Sequence, residues 1–213
     1  MKENYQKRLE ETIATSCTDG NRPRLLLHAC CAPCSSYVLE YLSSLFEITL
    51  FFYNPNIFPP EEYAFREEEL LRLVREMGLS ETVHVLRGHY DPEEFFQMAK
   101  GMETLPEGGN RCHACYTLRL RESGRIAAEG GFDYFTTTLS ISPYKNAHWL
   151  NEIGAEVAKE VGVPYLHSDF KKKNGYKRSC ELSAEYGLYR QDYCGCIYSK
   201  MERDRRLSTD NEN

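Results

Sequence analysis

Hydrophobic positions along the chain alternate between short continuous runs and longer stripes with helical spacing. The stripes cover 61–77 and 147–161, where apolar residues recur every three or four positions. Five short runs predict buried strands. They are LLLHA at 25–29, ITLFFY at 48–53, VHVL at 83–86, YFTTTL at 134–139 and VPYLH at 163–167. This alternation predicts an α/β fold with a doubly wound, mostly parallel sheet, and places functional loops at the carboxyl ends of the strands.

The two ends of the chain differ from this central pattern. Residues 1–23 predict an N-terminal extension with one short amphipathic helix, because Tyr5, Leu9 and Ile13 are four residues apart. Residues 24–200 predict a single α/β domain, since a chain of 213 residues is long enough to bury one continuous core. Residues 201–213 are almost entirely polar and predict a loose tail.

Composition indicates an ordinary globular protein in a reducing compartment. Hydrophobic residues make up 41% and charged residues 27% of the chain. No run of about 18 uncharged apolar residues predicts a membrane helix, and the first residues lack the apolar core of a signal peptide. We therefore expect a cytoplasmic protein without a membrane partner. There, nine cysteines, seven of them in tight groups, favour metal or redox chemistry over a disulfide framework.

Three groups of closely spaced cysteines are the candidate chemistry. One follows the first predicted strand in HACCAPCSSY, one is a CxxC at a predicted helix start in NRCHACY, and one is a CxC in YCGC, whose glycine lets the backbone bend closely. All three groups can converge on one edge of the sheet. Their seven thiols are Cys30, Cys31, Cys34, Cys112, Cys115, Cys194 and Cys196.

The number of thiols suggests two metal centres. A four-iron cluster takes four thiolates, which leaves three for a second metal with one open coordination position. Cys30 and Cys31 point in opposite directions if the chain stays extended there, which suits two centres. A closed four-thiolate zinc site with three incidental cysteines is the alternative from spacing. A thioredoxin-like dithiol is disfavoured because it leaves five thiols unexplained. Cys17 and Cys180 stand outside the groups.

Two further segments offer polar groups. Residues 136–146, TTTLSISPYKN, follow a predicted strand, so they either line a substrate pocket or form a plain loop in which Lys145 is a surface residue. The net charge of -6 would repel a polyanion unless a basic patch exists. Segment 171–178, KKKNGYKR, is such a patch or a solvated loop. Its cations are Lys171, Lys172, Lys173, Lys177 and Arg178.

Five segments together resemble one family. HACCAPCSSY, FFYNPNI, NRCHACYTLRL, TTTLSISPYKN and DYCGC occur in this order between about Leu25 and Ile197, and the combination resembles the epoxyqueuosine reductase QueH family. The resemblance implies a Rossmann-like fold of the adenine-nucleotide-hydrolase (HUP) class. It also implies the last step of queuosine biosynthesis, the deoxygenation of epoxyqueuosine in tRNA to queuosine, without cobalamin.

The resemblance further implies a 4Fe-4S cluster beside a mononuclear iron. Our hypothesis from the sequence assigns Cys31, Cys112, Cys115 and one cysteine of the CGC pair to the cluster. It assigns Cys30, Cys34 and the other cysteine of that pair to the lone iron.

In the mechanism that follows from the resemblance, the lone iron acts as a Lewis acid on the epoxide oxygen while the cluster delivers two electrons singly. Cys30, Cys34 and Lys145 are then the catalytic residues, and the basic segment 171–178 binds tRNA phosphates. No GxGxxG or flavin motif follows a strand, so electrons come from an external donor, a ferredoxin- or flavodoxin-like carrier or a reductase.

Other classes of protein make different predictions. ATP-using tRNA-modifying enzymes of the same broad fold carry a loop resembling SGGxDS after the first strand, but this chain has CCAPCSS there and lacks the glycines. A zinc-bound tRNA-binding module and an electron carrier remain alternatives. Metal content and colour distinguish both from a reductase.

Overall fold

Four parallel strands form the central sheet. The structure, a computed structural model, describes residues 3–18 and 20–210. The strands are β1 (Arg24–His28), β2 (Glu47–Phe52), β3 (Val83–Arg87) and β4 (Tyr134–Thr137). Their order is β3-β2-β1-β4, and each neighbouring pair is parallel. Helices connect them on both sides, which confirms the predicted α/β, doubly wound architecture.

The helices follow the apolar stripes of the sequence. Those predicted over 61–77 and 147–161 are observed at Pro60–Glu76 and Ala147–Val161, within one residue of the predicted bounds. The helices are α1 (Tyr5–Ser16), α2 (Ala32–Leu42), α3 (Pro60–Glu76), α4 (Pro92–Ala99), α5 (Asn110–Glu129), α6 (Ala147–Val161), α7 (Gly175–Glu185) and α8 (Ile197–Asp210). Among the described residues, none of these helices has the length and apolar character needed to cross a membrane.

Successive residues of β1 face opposite cores. Leu25 and Leu27 pack into one hydrophobic cluster with Leu39 of α2, whereas Leu26 packs into another with Leu120 of α5. All five side chains are fully buried. Such burial stabilises the fold by about 1.5–3 kcal/mol per side chain, so the pleat of β1 holds helices on both faces of the sheet.

The strand order creates a crevice at the carboxyl ends of β1 and β4. From β1 the chain continues to β2 on one side, and the later strand β4 joins the other side. The point where connections diverge in this way is where open α/β sheets bind ligands. Cys30 follows β1 and Thr138 follows β4, and the backbone N–H of Cys30 donates to Thr138 Oγ1 at 3.4 Å. The first cysteine group therefore lies at this crevice.

The strand predicted over 163–167 is reduced to a single residue. Tyr165 forms an isolated parallel bridge with Phe135. The carbonyl of Pro164 accepts from Phe135, but Pro164 has no N–H with which to extend a ladder. The prediction of a full strand is therefore wrong. The run over 134–139 is also shorter than predicted, because a 3₁₀ helix begins at Thr138.

The N-terminal helix packs against the sheet domain. Leu9 of α1 is fully buried in the hydrophobic core. The Tyr5 hydroxyl lies 2.7 Å from Nδ1 of His148, a residue of α6. The amphipathic helix predicted from Tyr5, Leu9 and Ile13 is confirmed as Tyr5–Ser16.

The polar C-terminal segment is helical over most of its length. The prediction of a loose tail over 201–213 is wrong for residues 201–210, which belong to α8, while 211–213 lie outside the described residues. Ion pairs explain why a polar helix docks here. The buried Arg111 guanidinium lies 3.2 Å from Glu202, and Arg203 pairs with Asp192.

Candidate metal centre

Cys30, Cys31 and Cys34 form a compact thiol group, the triad, at the start of α2. Their Sγ atoms all lie within 4.8 Å of one another, and those of Cys30 and Cys31 are 3.7 Å apart. The chain bends at Cys30, and Cys31 is the N-cap residue of α2. Cys31 has an extended backbone, but the bend at Cys30 brings the two sulfurs within 3.7 Å, so the expectation that Cys30 and Cys31 point in opposite directions is wrong.

The three thiols of the triad differ in pKa. Hydrogen bonds from Cys31 and Cys34 hold the pKa of the Cys30 thiol well below its usual value. The hydrogen bond to Cys30 raises the pKa of Cys31 to about 12, and the same partner raises that of Cys34 well above its usual value. Of the three thiols, Cys30 is thus the one whose thiolate form the other two stabilise. A metal ion that binds here displaces the thiol protons, so its affinity falls with decreasing pH.

Cys112, Cys115, Cys194 and Cys196 form the second thiol group. Cys112 and Cys115 lie in the first turns of α5, as predicted, and Cys115 shares a small apolar cluster with Cys196. Burial is the main cause of the raised pKa of Cys112. It also raises the pKa of Cys115 to about 11 and that of Cys196 to about 12, and the charge of Cys194 raises the pKa of all three thiols further. Contacts place Cys194 beside this group: the Lys145 ammonium contacts both Cys194 Sγ and Glu107, and the N–H of the next residue, Gly108, donates to Sγ of Cys112 at 3.3 Å.

Gly195 lets the chain turn tightly between Cys194 and Cys196. Its φ of +113° lies in the region that favours glycine. A Cβ there would lie 3.0 Å from Nη1 of Arg66 and 3.1 Å from Cγ1 of Ile57. Both the backbone conformation and the close neighbours require glycine, which agrees with the sequence prediction.

A cavity of about 510 Å³ joins the two thiol groups. It is lined by the whole triad, by Cys194 of the second group and by Lys145. The remaining cysteines of the second group are buried and are not in the lining. Cys112 shares a hydrophobic cluster with Cys30, and Cys115 shares one with Cys196, so the three cysteine segments lie together, as predicted.

Lys145 is a buried cation in the wall of this cavity. Its Nζ lies 3.0 Å from Sγ of Cys194 and 3.0 Å from Oε1 of Glu107. Burial lowers the pKa of Lys145, but the negative charges of Cys194, Tyr116 and Glu107 outweigh it and hold that pKa well above its usual value. The side chain is 9% exposed, which excludes the alternative that Lys145 is a surface lysine.

A family model described as epoxyqueuosine reductase QueH matches residues 25–202. This chain belongs to the epoxyqueuosine reductase QueH family. The resemblance that the five sequence segments indicated is thereby confirmed, and the chain is an oxidoreductase.

Bacterial QueH proteins resemble the chain over most of its length. The Streptococcus pyogenes serotype M1 protein is 44% identical over 205 residues, covering 95% of this chain and 80% of the relative. The Staphylococcus epidermidis protein is 43% identical over 207 residues, or 95% and 87% of the two chains. The Thermotoga maritima protein is 35% identical over 185 residues, or 84% and 91%. Each is named epoxyqueuosine reductase QueH.

Two buried arginines in the wall of the cavity were missed from the sequence. Arg66 and Arg119 both line the cavity and are 3% and 2% exposed. Nη2 of each has no hydrogen-bond partner among residues 3–18 and 20–210. The signal was present: Arg66 lies three residues after Tyr63 on the apolar stripe of α3, and Arg119 lies one turn after Cys115.

His28 is a core residue of this QueH protein. The side chain is fully buried, with Nδ1 2.8 Å from Oγ1 of Thr137 and Nε2 3.0 Å from the carbonyl of Tyr53. Burial lowers the pKa of His28 to about 4, so the imidazole is neutral near neutral pH. Both ring nitrogens have protein partners, which argues against a role as metal ligand.

The basic segment 171–178 is largely neutralised by its surroundings. Four of its five cations face a carboxylate. The pairs are Lys171 with Asp169, Lys173 with Glu10, Lys177 with Glu181, and Arg178 with Glu40. In the part of the chain that the structure describes, Lys172 has no acidic partner. The first three lysines line a second cavity of about 640 Å³, and Lys145 also contributes to its wall.

Proposed function

We propose that this protein removes the epoxide oxygen of epoxyqueuosine in tRNA, giving queuosine, at metal centres held by its seven clustered thiols. Membership of the QueH family supports the reaction. The observation that carries the proposal for this chain is the cavity, which is lined by the triad and by Cys194 of the second group. A substrate in this cavity would contact one centre and lie beside the other.

The triad fits a mononuclear iron. Three thiol sulfurs lie within 4.8 Å of one another, and their cavity side leaves room for a fourth ligand. Three protein ligands with one open position are the arrangement of a catalytic metal. The second thiol group supplies the four thiolates that a 4Fe-4S cluster takes.

This assignment revises our hypothesis from the sequence. That hypothesis gave Cys31 to the cluster and one cysteine of the CGC pair to the lone iron. The 3.7 Å between the sulfurs of Cys30 and Cys31 favours one shared metal. The common apolar surroundings of Cys115 and Cys196, together with the charge effects of Cys194, favour placing both CGC cysteines with α5.

Buried cations support an anionic centre. Several thiolates in a buried site repel one another and cost free energy unless positive charges compensate them. Arg66, Arg119 and Lys145 place three cationic groups in the cavity wall. Two of them also pair with a carboxylate, Arg66 with Glu62 and Lys145 with Glu107. The unpartnered Nη2 atoms of both arginines are donors that a thiolate- or sulfide-rich centre would satisfy.

The chain's own residues would bind the base and stabilise the departing oxygen. The overall reaction takes up two electrons and two protons and releases the epoxide oxygen as water. When bound, the metal centres supply the electrons and a Lewis acid. A cavity of about 510 Å³ is in the range that holds a single modified base. The Lys145 ammonium would stabilise negative charge on the oxygen as the C–O bond breaks. An external ferredoxin- or flavodoxin-like carrier, or a reductase, would deliver the electrons.

The test is conversion of the modified base. Protein purified without oxygen is loaded with iron and sulfide and incubated with tRNA carrying epoxyqueuosine and a low-potential chemical reductant. Mass spectrometry of the nucleosides is expected to show loss of one oxygen atom. We expect Cys31→Ser to abolish conversion and Cys17→Ser, at a cysteine outside both thiol groups, to retain it.

Two outcomes would count against the proposal. One is an iron-loaded wild-type protein that leaves the epoxide intact. The other is a Cys31→Ser variant as active as Cys17→Ser. A protein that binds one zinc ion and no sulfide would instead favour a tRNA-binding module with a closed metal site.

A further inference from the structure

An aromatic ring stands exposed at the mouth of the cavity. Tyr144 lines the cavity and is 78% exposed, the highest value among the large hydrophobic side chains that the structure exposes. Its ring contacts no other aromatic ring of the described residues. Tyr189 shows the contrast, since this residue is 36% exposed and its ring packs edge-on against Phe65 with centroids 4.9 Å apart. Tyr144 therefore offers a free aromatic face beside the cavity.

Two arginines at the same mouth have no carboxylate partner among the residues that the structure describes. Arg190 and Arg206 both line the cavity and are exposed. The Arg206 guanidinium, on α8, has no ion pair or hydrogen bond within the part of the chain that the structure describes. The Arg190 guanidinium donates to Oγ of Ser183 at 3.0 Å and lies 6.0 Å from the centre of the Tyr176 ring.

The acidic residues of the cavity already have other partners. Glu107 pairs with Lys145, and Asp192 pairs with Arg203. Neither neutralises Arg190 or Arg206 in this structure. Whereas the cations of 171–178 mostly face carboxylates, the mouth of the cavity carries two uncompensated guanidinium groups. Such groups bind phosphate with paired, charge-assisted hydrogen bonds.

We propose that Tyr144, Arg190 and Arg206 hold one unstacked nucleotide of the substrate RNA at the mouth of the cavity. A base stacks on the Tyr144 ring, and the phosphates beside it bind the two guanidinium groups. This inference rests on the proposed tRNA substrate. A base in a stacked RNA strand cannot reach the thiols inside the cavity, so the enzyme must hold the strand with its bases splayed apart.

Arg206 lies outside the region that the family model matches. The family model ends at residue 202, and Arg206 lies one turn further along α8. The segment that the sequence analysis treated as a loose tail would therefore contribute directly to RNA binding. The neighbouring arginines of α8 differ in position. Arg206 lines the cavity, whereas Arg205 does not line it and donates a hydrogen bond to the carbonyl of Met201 on its own helix.

The role of Tyr144 is tested by steady-state kinetics with tRNA carrying epoxyqueuosine. We expect Tyr144→Ala to raise KM roughly fivefold or more, because base–aromatic stacking is lost, while kcat stays near the wild-type value. Tyr144→Phe keeps the ring face and is expected to restore KM. A merely structural role would not give this separation of KM from kcat.

The role of the arginines is tested by binding, independently of catalysis. Fluorescein-labelled tRNA lacking the epoxide is titrated with protein at several salt concentrations. We expect Arg206→Gln to reduce the slope of log affinity against log salt by about 0.7–0.9, the value of one phosphate contact. Arg190→Gln should do the same, and Arg205→Gln is the matched control that should leave the slope unchanged.

The outcomes separate this inference from the proposed function. If the wild-type protein reduces the tRNA epoxide while Tyr144→Ala keeps the wild-type KM and Arg206→Gln the full salt slope, the inference is overturned and the proposed function stands. If the wild-type protein reduces nothing, the proposed function fails. The salt slopes then still decide whether the mouth binds RNA, and equal slopes for Arg206→Gln and Arg205→Gln overturn the inference.

Discussion

The Lys145 ammonium lies 3.0 Å from the Cys194 sulfur, inside the wall of the cavity that the triad also lines. This contact joins two loops that are distant in sequence, one before α6 and one before α8. The same ammonium pairs with Glu107, so it contacts a cysteine sulfur and a carboxylate at once. Such a buried cation is difficult to replace, because its loss leaves both partners without compensation.

Substitution of Lys145 should therefore impair both metal retention and turnover. We expect Lys145→Met to lower kcat for epoxide reduction by about 100-fold or more, the usual cost of losing an electrostatic stabiliser at a reacting oxygen. Iron content after gel filtration should fall with it, and Lys145→Arg, which keeps the charge, should retain more iron. Full iron content together with wild-type kcat in Lys145→Met would contradict the role given to this residue.

Gly195 should be intolerant of any side chain. Gly195→Ala adds a Cβ 3.0 Å from Nη1 of Arg66 at a φ of +113°. We expect a loss of about 1–3 kcal/mol in the free energy of unfolding, measured by urea denaturation, and a lower iron content. The matched control is Gly187→Ala, at a φ of +56° with no atom of the described residues within 4 Å of the added Cβ, where the loss should be smaller. Equal losses would show that the surroundings of Gly195 are unimportant.

Folding stability should fall in mild acid because of His28. Its pKa is about 4 in the folded protein against 6.5 when exposed, so the unfolded state binds more protons between these values. The stability is therefore complete above about pH 6.5 and decreases as the pH falls towards 4. We expect His28 to account for about 2 kcal/mol of loss between pH 7 and pH 5. Urea unfolding of wild type and His28→Gln measures this. An identical pH dependence in both proteins would rule out the contribution.

Within the basic segment, Lys172 should matter more for tRNA binding than Lys173. Lys173 pairs with Glu10 and must exchange this partner for a phosphate, whereas Lys172 has no acidic partner among the described residues. We expect Lys172→Gln to reduce the salt slope of tRNA binding by up to about 0.9 and Lys173→Gln to change it less. Filter binding across a salt series gives both slopes. A larger effect of Lys173→Gln would reverse the ranking.

The sequence predicted the parts of the site that local patterns determine. The strand that runs into CCAPC and the CxxC at a helix start place two cysteine groups, because parallel strands end at one edge of the sheet. Gly195 was predicted because a glycine between two cysteines lets the backbone bend closely. Arg66 and Arg119 were missed since their burial depends on partners distant in sequence, although each stands where a charged residue is unexpected.

The errors also have physical causes. The direction of the Cys30 and Cys31 side chains depends on one bend of the chain that no sequence pattern specifies. This bend changed which thiols we assign to the cluster and which to the lone iron. The C-terminal helix was taken for a loose tail because its residues are polar. Its order comes from pairing with other parts of the chain, such as Arg111 with Glu202. Ion pairs of this kind have no signature in hydrophobic periodicity.

Anomalous scattering at the iron edge, from crystals grown without oxygen, is the decisive measurement of which thiols hold each metal centre. We expect a strong peak bound by Cys112, Cys115, Cys194 and Cys196, with the size of a four-iron cluster, and a separate single-iron peak bound by Cys30, Cys31 and Cys34. A thiol of the triad bound to the cluster would contradict this assignment of ligands. A single zinc peak, with no iron after anaerobic reconstitution, would contradict the reductase mechanism itself.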